Sequence, residues 1–453
     1  MDPLLLSRVQ FGLTAGFHFL FPPVTIGLAF LIAVMELLHW RRGEPIYDRM
    51  ARFWSRIFII YFVAGVATGI AIEFQFGTNW SEYAKFVGDI FGAPLAAEGI
   101  FAFFLESTFV GLLVFGRDRI SPAMRFVSAL LVAAGSTLSA FWIIVANSWQ
   151  QTPVAYRIQG NRAVLTDFLA AVFNPSTMPR YLHTVDASLI TGAFFAMGVS
   201  AYLLLRERNT GLAKRSLAIA LVVAVLAAPL QIALGDAHAR EVAQYQPAKL
   251  ATFEALWNTT GHAPLDIVAI PVPSQSKNLV AIGIPGLLSF LTQGDASAPV
   301  TGLNDIPPAE RPPMIPTYLS FRVMVVLGMY FAALMLWGLY LLWKRTLYEH
   351  RLYLKLLVYS APLPLVANET GWLAAELGRQ PWVVYGVLRT AAAASPLPAQ
   401  VVLLTTIGFA VIYTALVAGV WYLTRRVIEG ALADGGPAPA APTTEPVLET
   451  EVS

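Results

Sequence analysis

Nine apolar stretches of about 20 residues or more run along the chain, and polar segments separate them. A stretch of that length crosses the hydrocarbon core of a bilayer as a helix, so the pattern predicts an all-α polytopic membrane protein with nine transmembrane helices. Pro22 and Pro23 interrupt the first stretch and predict a kink there, because proline removes a helix hydrogen bond. The predicted spans are residues 12–38, 57–76, 93–115, 126–148, 184–205, 216–235, 317–342, 356–377 and 398–423.

The spacing of these spans divides the chain into four parts. Residues 1–235 hold the first six spans, and residues 236–316 form a long Pro-rich loop. Residues 317–428 hold the last three spans. Residues 429–453 are rich in Ala, Pro, Thr and Glu, a composition typical of a disordered tail.

Basic residues are concentrated in alternate connections between the spans. They gather in residues 41–56, 117–125, 206–215 and 344–355, and two more follow the last span. Because cytoplasmic connections carry an excess of Lys and Arg, these segments and the C-terminus are predicted to lie in the cytoplasm. The N-terminus, the 236–316 loop and the 378–397 loop are then predicted to lie outside.

Composition agrees with the membrane interpretation and excludes several chemistries. The chain is 57% hydrophobic and 13% charged, against about 25% charged in soluble domains. A net charge of +2 gives no sign of nucleic-acid binding. The chain has no Cys, which excludes covalent c-type haem attachment, iron–sulfur clusters, thiolate catalysis and disulfides.

Two acids interrupt the third span, at Glu98 and Glu106. A carboxylate in hydrocarbon costs about 2.5–3.5 kcal/mol on insertion scales, so such residues are usually functional. Eight residues at about 100° each place the two acids roughly 80° apart on a regular helix, which is one face. This arrangement suits proton relay or metal-centre chemistry. The alternative is a pair of protonated acids that only join helices.

Four further residues fall at a similar predicted depth on other spans, in the outer half of the bilayer. They are His18, His183, Met324 and Glu369. Imidazole, thioether and carboxyl groups can all ligate haem iron, and a His/Met pair is a low-spin arrangement that raises the potential. The alternatives are a histidine that bonds a neighbouring helix and a methionine that fills the core. Of the six histidines, only His18 and His183 are predicted at membrane depth.

Several long stretches of the sequence carry a family resemblance. They include GVATGIAIEFQFGTNWSEYAKFVGDIFGAPLAAEGIFAFFLESTFVG at 65–111, LSAFWIIVANSWQQTPV at 138–154, LHTVDASLITGAFF at 182–195, FRVM at 321–324 and NETGWLAAELGRQPW at 368–382. These stretches are collinear with their counterparts and cover most of the chain outside the loop and tail. The sequence resembles subunit I of the cytochrome bd-type quinol oxidases.

The resemblance implies three haems and oxidation of quinol at the outer face with reduction of O2 to water. The cofactors would be one low-spin haem b, one high-spin haem b, and a haem d or a third haem b at the O2 site. The first part of the chain would carry the site of O2 reduction and one low-spin ligand. The implied iron ligands are His183 and Met324 for the low-spin haem, His18 for the O2-reducing haem and Glu369 for the high-spin haem b.

Further roles follow from the same resemblance. Arg322 and Arg379 would contact cofactors, and Glu98, Glu106 and Ser139 would supply protons for O2 reduction. In the quinol loop, at residues 236–316, Lys249 and Glu254 occupy quinol-associated positions. The alternative for this last pair is a solvated surface pair.

The family also implies partners and a location. A homologous subunit II is expected, with a small single-span subunit as an open alternative, in the bacterial cytoplasmic (inner) membrane. The quinol loop is short and Leu365 stands where some members have Trp, a pattern that favours the short-loop, cyanide-insensitive-type branch.

Two other functions remain as rivals at this stage. A proton-coupled transporter would use the buried carboxylates for translocation. A dihaem quinol–cytochrome reductase would use histidine ligands alone.

Overall fold

The protein is described here by a computed structural model, in which residues 2–433 are placed. It is mainly helical, and its few strands form short hairpins. The helices are α1 Pro3–Phe19, α2 Pro22–Arg42, α3 Pro45–Thr78, α4 Ser81–Ala97, α5 Phe104–Phe115, α6 Pro122–Gln151, α7 Phe168–Val172, α8 Thr177–Leu205, α9 Thr210–Tyr245, α10 Pro247–Phe253, α11 Leu287–Gln293, α12 Met314–Trp343, α13 Arg351–Ser360, α14 Leu363–Leu377 and α15 Ala399–Ala433. The strands pair antiparallel as β1 Tyr156–Gln159 with β2 Arg162–Leu165, β3 Leu265–Val272 with β4 Lys277–Ile284, and β5 Trp382–Val384 with β6 Leu388–Arg389.

Prolines mark where several of the long helices begin. Pro22, Pro45 and Pro122 each stand in the first turn of a helix, where the missing N–H has no partner to lose. The predicted kink in the first span is confirmed, because α1 ends at Phe19 and α2 begins at Pro22.

Within residues 2–433, eight helical segments are long and apolar enough to cross a membrane, against the nine predicted. The difference lies at the predicted span 356–377. Two consecutive helices of 10 and 15 residues occupy this region, α13 and α14, and neither has the length of a span alone. Pro362 stands at the break between them, since proline cannot continue the preceding helix.

Helices extend past both predicted boundaries of the loop and past the predicted start of the tail. Helix α9 continues to Tyr245, ten residues into the predicted loop, and α12 begins at Met314. Helix α15 runs to Ala433, so the predicted tail at 429–453 begins as helix. Residues 434–453 of that tail lie outside the described residues.

The third predicted span is irregular at its centre. Between α4 and α5, residues Glu98–Phe103 form a π-helix, which has wider turns than an α-helix. Pro94 precedes this segment inside α4. The angle of 80° between the two acids assumed a regular helix and does not hold here.

Helix α2 lies at the centre of the bundle and packs against α3, α6 and α8. It approaches α8 very closely at Gly27 and Gly192, where a Cβ added to Gly27 would lie 2.4 Å from the Ser188 carbonyl oxygen. Only glycine fits at such a crossing, and small residues are the usual means by which membrane helices come together.

A buried ion cluster joins the end of α2 to α3 and α6. Glu36 is fully buried, and Arg117 Nη1 lies 2.6 Å from its Oε1. Asp48 Oδ1 accepts hydrogen bonds from Arg117 Nη2 at 2.8 Å and from Arg125 Nη1 at 2.7 Å. The cluster therefore fixes the end of the bundle that carries the basic connections.

At the opposite end, four helices form a closed ring of contacts: α8 packs on α9, α9 on α12, α12 on α14 and α14 on α8. We call these four helices, α8, α9, α12 and α14, the α8–α14 sector. The segment 246–313 covers its end, with α10 packed on α9 and α12 and α11 packed on α9. This is the loop end of the bundle.

Candidate haem and quinol sites

His18 is held near the end of α1 by a hydrogen bond that orients its ring. Its Nδ1 lies 3.0 Å from Thr68 Oγ1 on α3. The Thr68 hydroxyl donates to the Ala64 carbonyl at 2.9 Å, so we assign Nδ1 as the donor to Thr68. That tautomer leaves a free lone pair on Nε2, the state in which a histidine binds a metal. Gly69 lies beside the ring, and a Cβ there would be 3.3 Å from Cε1.

Glu369 reaches α1 from α14 at Gly16. A Cβ added to Gly16, two residues before His18, would lie 3.3 Å from Glu369 Oε2. The other oxygen, Oε1, is buried and has no hydrogen-bond partner among residues 2–433. The structure thus places Glu369 against α1, the helix that carries His18.

His183 and Met324 belong to the α8–α14 sector. A Cβ at Gly235 on α9 would lie 3.5 Å from His183 Cε1, and one at Gly371 on α14 would lie 2.7 Å from Met324 Sδ. His183 Nε2 is 3.1 Å from the Gln231 amide nitrogen, and Nδ1 has no partner in the described part of the chain. One ring nitrogen of His183 is therefore without a hydrogen-bond partner among residues 2–433.

These four residues share an arrangement that fits haem ligation. Each stands against a glycine, which leaves room beside the ligating group that a Cβ would fill. Residues 2–433 contain no cluster of three or more His, Asp or Glu side chains that could hold a bare metal ion. Ligands supplied singly or in pairs suit an iron whose equatorial ligands come from a porphyrin.

Both acids of the third span contact α6. Glu98 Oε1 accepts a hydrogen bond from Ser139 Oγ at 2.7 Å, and Glu106 accepts one from Ser136. Ser136 and Ser139 are one turn apart, so the two acids do face one helix despite the π-helical segment. Ser139 was predicted from the sequence and Ser136 was not, although the spacing of three residues between them was a usable signal.

The two candidate quinol residues are buried, so the alternative of a solvated surface pair is wrong. Lys249 is 1% exposed and Glu254 is 6% exposed. Lys249 Nζ donates to Gln151 Oε1 at 2.6 Å. Burial lowers the pKa of the Lys249 ammonium well below its usual range. The two residues therefore face different neighbours rather than each other.

Glu254 is bound by Arg322, which stands two residues before Met324. Arg322 Nη2 donates to Glu254 Oε2 at 2.7 Å, and its Nη1 donates to the Asp266 carbonyl at 2.6 Å. Burial raises the pKa of the Glu254 carboxyl, and the Arg322 guanidinium opposes that shift. Arg322 thus couples the loop segment to the helix that carries the candidate thioether ligand.

Arg379 follows α14 and lies in a second buried network at the loop end. It donates to Glu376 and to Gln150, while Asn147 Nδ2 donates to Glu376 Oε1 at 2.9 Å. Gln151 joins this network to Lys249, since its Nε2 lies 3.4 Å from Glu376 Oε1. Amide side chains in the apolar stretch 138–154 were the sequence signal for this network.

His238 was not among the predicted site residues, because the predicted loop begins at residue 236. Because α9 continues to Tyr245, His238 lies on a helix with its ring centroid 5.8 Å from that of His183. Its Nε2 is 3.7 Å from Glu241 Oε2. Pro247 was the available signal, since helices commonly end just before a proline.

Known proteins similar to this chain belong to the family that the sequence resembles. The family model described as cytochrome bd terminal oxidase subunit I matches residues 6–431. The cytochrome bd-II ubiquinol oxidase subunit 1 of Escherichia coli (strain K12) is 39% identical over 493 aligned residues, covering 94% of this chain and 96% of that protein.

A second relative and a solved structure agree. The cytochrome bd ubiquinol oxidase subunit 1 of Bacillus subtilis (strain 168) is 39% identical over 441 residues, covering 95% of this chain and 94% of that protein. The bd oxidase structure from Geobacillus thermodenitrificans superposes with a TM-score of 0.88 at 31% identity, covering 95% of this chain and 99% of that one. The chain therefore belongs to the cytochrome bd terminal oxidase subunit I family.

Proposed function

We propose that this chain is the haem-binding catalytic subunit of a quinol oxidase that reduces O2 to water. Two molecules of quinol supply the four electrons for one O2, and two molecules of water result. The observation that carries the proposal is the set of four candidate ligands, each beside a glycine and each with a ligating atom free or exchangeable. Membership of the family favours this function over a transporter or a bis-histidine reductase.

The proposed topology has nine crossings of a bacterial cytoplasmic membrane. In it α13 and α14 together make one broken crossing, which raises the eight long segments to nine. The basic connections at the end that carries the Glu36 cluster support a cytoplasmic location for that end. The N-terminus and the loop end would then lie outside, and the C-terminus inside.

The proposed ligands are His183 and Met324 for a low-spin haem b, and His18 and Glu369 for two high-spin haems. Bound haem supplies one-electron transfer and a site for O2. In this chain Thr68 fixes the His18 tautomer, and the glycines keep the space beside each ligand open. The haem at His18 would be a haem d or a third haem b.

Proton supply is proposed along the hydrogen-bonded pairs on α6. The Ser136–Glu106 pair lies one turn further from the loop end than the Ser139–Glu98 pair, so the two pairs form successive steps. Protons would enter from the cytoplasm, while electrons come from quinol at the outer side. Charge then crosses the membrane without a pump, and turnover in vesicles should build a potential, negative inside.

Quinol oxidation is proposed at the segment that carries Lys249 and Glu254. The buried carboxyl of Glu254, bound by Arg322, can accept a quinol proton close to the helix of Met324. Relatives named as ubiquinol and menaquinol oxidase subunits support quinol as the reductant. A homologous subunit II, with or without a small single-span subunit, is the proposed partner.

The test is a reduced-minus-oxidised and a CO difference spectrum of the purified oxidase. We expect low-spin b bands together with high-spin bands that shift with CO. Replacement Met324→Leu should remove the low-spin signal, and Met329→Leu, an exposed position on the same helix, should leave it intact. A colourless protein would refute the oxidase, and a coloured one that does not bind CO would favour the reductase.

A further inference from the structure

Within residues 2–433, Arg180 is a buried cation without an anionic partner. Its side chain belongs to α8 and is 7% exposed. Nε has no hydrogen-bond partner among residues 2–433, and no carboxylate in that range lies within ion-pair distance of the guanidinium. A buried charge of this kind is costly unless it is paired, so an unpaired arginine in a membrane protein indicates a missing ligand.

The two carboxylates near Arg180 have other partners. Its neighbourhood at the loop end includes two further buried basic side chains, Lys249 and Arg379, and two carboxylates, Glu241 and Glu376. Arg379 is paired with Glu376, while a hydrogen bond from Ser176 and the proximity of His238 hold Glu241. Neither carboxylate therefore pairs with Arg180, and its guanidinium lacks an anion within the described part of the chain.

The position of Arg180 identifies the chemistry of that anion. It precedes His183 by three residues on α8, so it lies on nearly the same helix face, about 4.5 Å closer to the loop end. A porphyrin ligated by His183 carries carboxylates on one edge. An arginine fork matches a carboxylate bidentately, which a lysine cannot do.

We propose that Arg180 binds a propionate carboxylate of the low-spin haem held by His183. This inference rests on the proposed function and adds a cofactor-binding residue to it. Pairing with the propionate would neutralise the buried Arg180 guanidinium. The same helix would then supply both the imidazole and the cation that hold the haem.

The experiment measures the reduced-to-oxidised ratio of the low-spin haem in the purified, complete oxidase at a series of fixed potentials. Arg180→Gln removes the cation beside the anionic edge, which favours the ferric state. We expect the ratio at a given potential to fall about tenfold, equivalent to about 59 mV for a one-electron couple. Arg180→Lys retains the charge and should stay within about threefold of the wild type. Arg240→Gln, an exposed cation at the same end, should leave the ratio unchanged.

Each other result has a defined meaning. An unchanged low-spin ratio in Arg180→Gln overturns the inference, even if the quinol KM rises, and a shift confined to the high-spin bands overturns the assignment to the low-spin haem. If Arg180→Gln assembles no haem, Arg180→Lys decides: a wild-type low-spin signal supports the inference, and its loss shows that Arg180 only packs α8. If the wild type itself lacks a low-spin haem, the proposed function fails rather than this inference.

Discussion

Replacement of Gly371 by alanine is the sharpest perturbation of the proposed low-spin site. Gly371 lies on α14, opposite Met324 on α12. The added Cβ would be 2.7 Å from Met324 Sδ and 3.5 Å from Cγ. Non-bonded carbon atoms prefer about 3.5–4.0 Å, and sulfur is no smaller. The thioether must therefore retreat by about 1 Å.

That displacement is small for the fold and large for a ligand. Methionine has three rotatable bonds, and a strained rotamer costs about 0.5–1.5 kcal/mol, so the bundle should keep its structure. A metal–ligand bond tolerates about 0.2 Å. We therefore expect Gly371→Ala to assemble normally, to lose the low-spin b signal and to lower the potential of that haem, since a thioether ligand raises it.

The assay is a redox titration of the purified oxidase followed in the visible bands, with a thermal melt on the same sample. Gly328→Ala is the matched control, because a Cβ there meets no described atom within 4 Å and the position is four residues after Met324 on the same helix. A wild-type low-spin spectrum and potential in Gly371→Ala would refute the reasoning. Melting temperatures that fall in Gly371→Ala alone would show that the backbone yields instead of the thioether.

Three further predictions concern stability. Gly192→Ala should lower the free energy of unfolding by at least about 1–3 kcal/mol, seen as a lower melting temperature, because its Cβ would lie 2.5 Å from backbone atoms of α2. Gly408→Ala is the control: a Cβ there meets no described atom within 4 Å, so the thermal melt should change little. Arg117→Met should lower the free energy of unfolding by about 3–5 kcal/mol, because it leaves Glu36 buried and charged. Adding Glu36→Gln should restore much of that stability. Additive effects of the two substitutions in this double-mutant cycle would contradict the pairing. Burial lowers the pKa of Lys249, so between that lowered pKa and the ordinary 10.5 the unfolded chain binds one more proton than the folded chain. The wild type should therefore gain stability as pH rises through this window, and Lys249→Met should lack that slope. Equal slopes for the two proteins in melts from neutral to alkaline pH would refute the prediction.

The long hydrophobic stretches were sufficient to predict most of the helices. Membrane-length runs such as 126–148 and 317–342 have no alternative to the helix in hydrocarbon, and the structure places α6 and α12 around them. The prolines at 22 and 23 also predicted the break between α1 and α2. Hydrophobic periodicity did not predict the π-helix at Glu98–Phe103, whose wider turns leave the apolar pattern unchanged. Pro362 was an available signal for the division of 356–377, which the prediction missed.

Sequence analysis identified the types of ligating residue, but not their environments. It named His18, His183, Met324 and Glu369 from depth and resemblance, and their assignment as iron ligands stays a prediction. It had no means of placing a glycine of another helix beside each of them. It also left open whether Lys249 and Glu254 were solvated, and the structure buries both.

The sequence alone therefore determined the class of protein, the helices and the residue types available for chemistry, because hydrophobic length and local propensity act within one segment. Only the tertiary structure decided which polar groups meet. The pairing of Ser136 with Glu106 and the contact of His238 with His183 join residues through the packing of separate helices. The same packing leaves the Arg180 Nε without a partner among residues 2–433. No pattern within a single helix specifies such contacts, since they depend on the rotation and depth of every neighbour in the bundle.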